Sequence, residues 1–409
     1  MLFGKECRRI LTSLTFIIYC FVVGLFFVSQ YIEENKGDPY IPDEKISEDH
    51  DVIMNGAVGN LANEYLANNY ICYPYGFYKS VRLNEDDSKK VEECLLEVTG
   101  LTHDELMDIR DSGEHYYVEH GLQETMYYDI GELPVSDTIT YERFCELMGQ
   151  VDDILGGGSS YKVEDLVVTY SYVPMTQEDR EAVISDLYEK DGVAGGYARL
   201  FSDYVGIDLG IMPVFVAAAL VSADRRKRVS DLIYTRKISS LKLIFTRYAA
   251  LVTMMFIPVI LCMIAAAIQL IKYFDFNDLA LYKMFTLPTF WLLPQLMIVT
   301  AVAMIVTEVF SSGIAILLQF AWWFSSIMAS GAKLSGSISK FDLVCRHNTV
   351  FGRDEFMLSR NDFIFNRIFF FITAIVITAI TAYVYELKRG GRFHGIRLFG
   401  KDSIFRHKA

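Results

Sequence analysis

Proline is scarce, with nine in 409 residues; tryptophan occurs three times and histidine seven times, and no segment repeats or falls into low complexity. That composition excludes collagen-like, mucin-like and Pro/Gly-rich disordered chains. The seven cysteines are an odd number at irregular spacing, without a C-x-x-C pair. No zinc ribbon or thioredoxin-type redox pair is therefore written in the chain. Nucleophile-elbow and dinucleotide-binding glycine patterns are absent too. The histidines closest to a metal pattern are His115 and His120 in GEHYYVEH. They are five apart, where a zinc-protease helix needs four, and on a helix they would diverge by about 140°. A solvated polar face is the expected role, so no metal, no cofactor and no catalytic residue is expected.

One further fragment imitates chemistry. The glycines at 395 and 400 followed by Lys401 look like the start of a phosphate-binding loop, but Asp402 stands where Ser or Thr should hold magnesium. An anion there repels phosphate, so the chain itself is not expected to bind ATP.

What is present is divided by charge. The whole chain carries a net charge of −13. Residues 31–205 hold 38 acidic and 12 basic residues, a net of −26, and everything else sums to +13. An acidic, water-compatible block is thus inserted into apolar sequence with basic punctuation, the pattern of a polytopic membrane protein. The acidity argues against a nucleic-acid partner.

Crossing a bilayer takes about 20 mostly apolar residues. Six runs qualify: 10–28, 205–222, 248–271, 285–309, 313–330 and 368–385. The first is longer than a usual signal-peptide core and lacks an A-x-A-like cleavage site, so a retained anchor is expected. Lys and Arg are concentrated in 1–9, 223–247 and 386–409. Six spans put these three segments on one side, with both termini in the cytoplasm of a plasma-membrane protein and 29–204 outside. The turn 310–312 is then cytoplasmic, and loops 272–284 and 331–367 are external. The last loop strains the scheme, since it carries Lys333, Lys340, Arg346, Arg353, Arg360 and Arg367.

The fold class expected is an α-helical polytopic membrane protein with six transmembrane helices plus a mixed, mostly helical α+β extracellular domain. Within the domain, helices are expected over 87–98, ending at Gly100; over 102–109, where Thr102 and Glu105 form a capping box; over 140–155, stopped by Gly156; and from Thr176 through Tyr188. Residues 165–173 read as a strand. Tyr70, Tyr73, Tyr75, Tyr78, Tyr116, Tyr117, Tyr127 and Tyr128 give amphipathic packing or a partner face. Cys72, Cys94, Cys145 and Cys345 would lie outside, with three pairings or free thiols all open.

Several polar residues interrupt the spans. Asp208 and Glu308 lie near span ends, where each can reach an interface, while Gln295 and Gln319 are more central. They either join helices or line a polar path. Ala374, Thr378 and Ala382 form a small-residue stripe for close helix packing, within or between subunits. Pro213, Pro258, Pro288 and Pro294 are tolerable only where neighbours satisfy the freed carbonyls.

Between the second and third spans, Val229, Leu232, Ile233 and Ile238 give an amphipathic segment for the interface plane. Asp224 precedes it, the run 232–239 reads LIYTRKIS, and Arg247-Tyr248 opens the third span. This segment resembles the coupling region of type-2 ABC exporter permeases, with Lys237 where that family often has proline. The stretch GGYARLFSDY at 195–204 is similar to family members that carry exterior domains. The resemblance covers roughly 205–385 and implies a transmembrane exporter subunit that works as a dimer, homo- or heteromeric, with a separate ABC ATPase subunit. Its ATPase-coupling residues would be Asp224, Arg228, Leu232, Ile233, Thr235, Ile238 and Ser239. The substrate would be a peptide or an amphiphile, cationic if the acidic domain selects it. The alternative is a membrane-anchored sensor or assembly factor that binds a ligand or partner through that domain.

Overall fold

The computed structural model describes the chain from Leu2 to Ile396, except residues 34, 36–38, 40, 75–77, 121–122, 227–236, 277–278, 311, 332–337 and 394–395. Side chains at 118–120, 123–127, 224–226, 312 and 330–331 are also outside the description. Two compact units emerge, residues 41–180 and the remainder.

The chain begins with a short amphipathic helix α1 (Leu2–Leu11) and, after Ser13 caps the next start, the apolar α2 (Leu14–Phe27), which continues through a π turn over Val28–Ile32. Residues 41–180 then fold separately as β1 (Glu44–Ile46), α3 (His50–Ala67), β2 (Tyr70–Cys72), β3 (Lys79–Val81), α4 (Glu85–Thr99), α5 (His103–Ser112), β4 (His115–His120), β5 (Gln123–Tyr128), α6 (Tyr141–Leu155), α7 (Val163–Tyr170), β6 (Tyr172–Pro174) and the start of α8 (Gln177–Asp186). The strands make three antiparallel pairs, β1–β6, β2–β3 and β4–β5. The core lies between the helices, with Ile53, Leu61, Val91, Leu95, Phe144 and Met148 fully enclosed or nearly so.

Local signals in this unit were legible. Thr102 and Glu105 make a reciprocal capping box on α5. Gly100 and Gly156 end α4 and α6 in the left-handed conformation that a side chain resists. Thr176 and Asp179 cap α8. Residues 165–173 differ from expectation: most of the run is α7, and only Tyr172–Pro174 is strand. Leu166 is fully buried, and Val167 and Tyr170 pack partly buried against the same core, a helical spacing that outweighs the β-branched run. GEHYYVEH forms β4 rather than a helix, so helix-face geometry does not apply to His115 and His120. Tyr70 is buried, whereas Tyr73, Tyr78, Tyr116 and Tyr117 are exposed; Tyr75 and the Tyr127 side chain lie outside the described residues. All seven cysteines are free thiols.

The remaining chain is helical. It comprises α9 (Ala194–Leu209), α10 (Pro213–Arg226), α11 (Ser240–Tyr273), α12 (Lys283–Val309), α13 (Ser312–Gly331), α14 (Arg353–Leu358) and α15 (Arg360–Arg389). Five segments are long and apolar enough to cross a membrane: Leu14–Ile32, Ala194–Ala223, Ser240–Tyr273, Lys283–Val309 and Arg360–Arg389. The apolar stretch Gly313–Ala329 of α13 is shorter. The second of these segments opens at Ala194 rather than Val205, so residues 195–204 belong to the helical bundle and not to the acidic unit. α9 is almost wholly buried, which explains the glycines and alanine at its start.

Consecutive apolar helices alternate in direction. At one end Arg247 of α11 pairs with Glu6 of α1 at 3.2 Å, and Arg9 donates to the Leu220 carbonyl of α10. Lys388 of α15 pairs with Glu308 of α12 at 2.9 Å. At the opposite end Gln269 of α11 donates to the carbonyls of Ile32 and Asn35, and Lys283 of α12 to that of Asp191. α12 is the central helix, packed against α9, α10, α11, α13 and α15. Leu317 on α13, Leu261 and Ile268 on α11, and Ile372 and Val376 on α15 remain exposed. An apolar outer face around a packed interior is what a lipid environment accepts.

Candidate functional site

At the end opposite the basic segments, residues 338–358 fold back onto α9. Asp203, fully buried, accepts the backbone N–H groups of His347 and Asn348 and pairs with the Arg346 guanidinium. One turn earlier, Arg199 pairs with Asp191 at 2.6 Å and donates to the Val350 and Phe351 carbonyls. His347 lies between them, 3.2 Å from the Arg199 guanidinium and 2.8 Å from the Phe351 carbonyl. Burial, reinforced by Arg199, pushes the His347 imidazole down to about 4, so it is neutral and holds the turn together without carrying charge. Arg199 and Asp203 are one α-helical turn apart, which aims both at the same returning segment.

Backbone geometry requires small residues here. Asn348 and Gly352 take positive φ, at 49° and 68°. Gly196 faces the Val350 carbonyl so closely that a Cβ would sit 2.3 Å from the oxygen. Below the turn, Trp291 of α12 stacks on Phe356 of α14 and packs against Phe363 of α15. Arg367 closes this layer, donating to the Trp291 carbonyl at 2.9 Å and to the Cys345 thiol.

Four of the basic residues of 331–367 have partners within the described structure. Arg346 and Arg367 are consumed by buried contacts; Lys340 and Arg353 pair with Asp362 and Asp354. Reading 195–204 as part of an acidic domain hid the buried cluster. The available signal was the charged pair at i and i+4 inside a Gly/Ala-rich helical stretch, a combination that needs partners wherever it is buried.

Within the bundle, Gln295 donates to the Gly206 carbonyl and Gln319 to that of Gly210, both at 2.6 Å, and Trp323 donates to the Ile207 carbonyl. These carbonyls flank the irregular turn at 210–212 before Pro213, so both glutamines join helices where the proline interrupts the backbone ladder. Asp208 is buried rather than reaching an interface. Glu308 is likewise buried, held by Lys388. Ala374, Thr378 and Ala382 are buried inside this chain, on the face of α15 that packs against its own bundle.

The coupling residues are only partly visible. Arg228, Leu232, Ile233 and Thr235 lie outside the described residues, as does the Asp224 side chain. Ser239 caps α11, its hydroxyl accepting from the Lys242 N–H, and the Ile238 carbonyl accepts from Arg389 at 2.6 Å. Tyr248 points inward and donates to the Met297 carbonyl. Of the phosphate-loop-like tail, residues 395 and 397–401 lie outside the described residues.

Fold and site together define a polytopic helical membrane protein with an additional compact unit at 41–180. No family model, no curated protein and no solved structure matches this chain.

Proposed function

We propose that this protein is the membrane-embedded permease subunit of an ABC exporter, driven by a separate ATPase subunit that docks on the connection between α10 and α11. In this reading it sits in the plasma membrane with both ends in the cytoplasm, pairs with a second permease subunit, and moves a peptide or amphiphile. The observation that carries the reading is the clamp where the α10–α11 connection enters the bundle. Arg389 of α15 holds the Ile238 carbonyl, Ser240 of α11 contacts Glu386 of α15, and Lys388 holds Glu308 of α12. A push delivered to residues 223–239 is therefore passed at once to α11, α12 and α15. Rigid helices linked by charge-assisted bonds transmit such displacement from one to the next.

The test is purification from native membranes in mild detergent, with identification of what accompanies the protein. A stoichiometric soluble ATPase is expected. The double substitution Asp224→Lys with Leu232→Asp should leave the chain inserted while releasing the ATPase and reducing ATP-dependent transport to background. Normal transport by that variant would remove the coupling assignment. A clean preparation without ATPase, repeated under crosslinking, would favour the sensor reading and direct attention to residues 41–180.

A further inference from the structure

An open groove of about 640 Å³ runs along the bundle surface between the first turns of α12 and α15. Its walls are apolar, formed by Phe285, Phe290, Leu293, Ile368 and Phe371, with Thr289 among them. A volume of this order is typical of sites for small organic ligands. Arg367 also lines it, and this side chain is fully buried. Two of its nitrogens are used by the Trp291 carbonyl and the Cys345 thiol, while Phe363 and Phe370 present their ring faces at 5.5 and 6.0 Å. Its Nε has no hydrogen-bond partner, and among the described residues no carboxylate pairs with it. Arg346, by contrast, has Asp203, and Arg199 has Asp191. A guanidinium out of water without a counter-ion costs several kcal/mol, roughly, and an anion brought to it recovers much of that.

We infer that this groove binds an anionic phospholipid, its acyl chain along the aromatic and aliphatic walls and its acidic headgroup compensating Arg367. On α15 Arg367 is preceded by the charged start of the helix and followed by uncharged apolar sequence as far as Tyr385, so it stands at the border between headgroup-like and acyl-chain-like surroundings. The exposed Arg360 lies two turns nearer the helix start and lines a second, adjoining apolar cleft that shares Phe290 and Ile368. The inference needs only that the bundle sits in a bilayer. It does not depend on the transport reading.

The experiment is native mass spectrometry of the full chain, delipidated in detergent and titrated with phosphatidylglycerol or phosphatidylcholine of identical acyl chains. Phosphatidylglycerol should bind about tenfold more tightly, the difference one charge-assisted contact makes. Basic residues at the other end of the bundle offer additional acidic-lipid contacts, so the site-specific measure is the groove-filling Thr289→Trp, which leaves Arg367 intact. It should remove one tightly held phosphatidylglycerol. Arg367→Gln should abolish the headgroup preference while retaining the acyl contribution, and if that variant fails to fold, Thr289→Trp alone decides. Equal binding of the two lipids, an unchanged lipid count in Thr289→Trp, or displacement of the lipid by millimolar inorganic phosphate would each overturn the proposal.

Discussion

Glu64 is a carboxyl group in the interior of residues 41–180, 3% exposed, accepting from the Ile71 N–H and the Tyr161 hydroxyl. Tyr161 and Tyr170 are linked through Asn60, and Ser160 closes the network. Burial raises the Glu64 carboxyl from 4.5 to about 7, against the smaller downward pull of its two donors. The folded state therefore holds a proton that the unfolded chain releases above pH about 4.5. Stability from this group is complete below pH about 4.5 and is lost as pH rises to about 7, an effect on the order of 3 kcal/mol. Urea unfolding of residues 41–180 between pH 4.5 and 8 should show that decline, and Glu64→Gln should flatten it. A parallel decline in the glutamine variant would place its origin elsewhere. Asp203 is another buried carboxyl group, and Arg346 and two backbone donors meet it inside the protein.

Among the elements, α9 does the most positioning. It carries Arg199 and Asp203 on one side, offers glycine to the returning segment, and is bound through its own carbonyls by α12 and α13. Gly196→Ala tests this arrangement directly. The added methyl meets the Val350 oxygen and the Leu187 side chain, so residues 347–352 must lift from the helix. Overpacking of this kind costs about 1–3 kcal/mol, and thermal unfolding in detergent should report it as a lowered midpoint. An unchanged midpoint would mean that the returning segment does not rest on α9. The proline-interrupted helices follow a similar logic: each glutamine facing the 206–212 region donates to a carbonyl there and so joins two helices.

For the whole molecule the charge split sets the expected orientation. At one end of the helical bundle the buried pairs Arg247–Glu6 and Lys388–Glu308 draw described parts of the basic segments together. Brief protease treatment of intact cells should cut within residues 41–180 while a tag placed after Ala409 stays protected. Cleavage of the tag with protection of 41–180 would invert the topology. Two of the loop arginines that oppose this orientation, Arg346 and Arg367, are neutralised or enclosed inside the bundle, which lowers their weight in the charge bias.

The sequence by itself determined the membrane class, the positions of the long apolar helices, the acidic insert and the capped helices of residues 41–180. These follow from hydropathy, charge sign and cap chemistry, all local in the chain. Only the tertiary structure decided that 194–204 belongs to the bundle, that 165–170 is helical, that Ala374, Thr378 and Ala382 pack internally, and that Arg367 faces a groove without a carboxylate. Each of those depends on partners distant in the chain or on burial of one particular face. A charged residue in an apolar run reads the same whether its counter-ion is present or absent, and only packing supplies the difference.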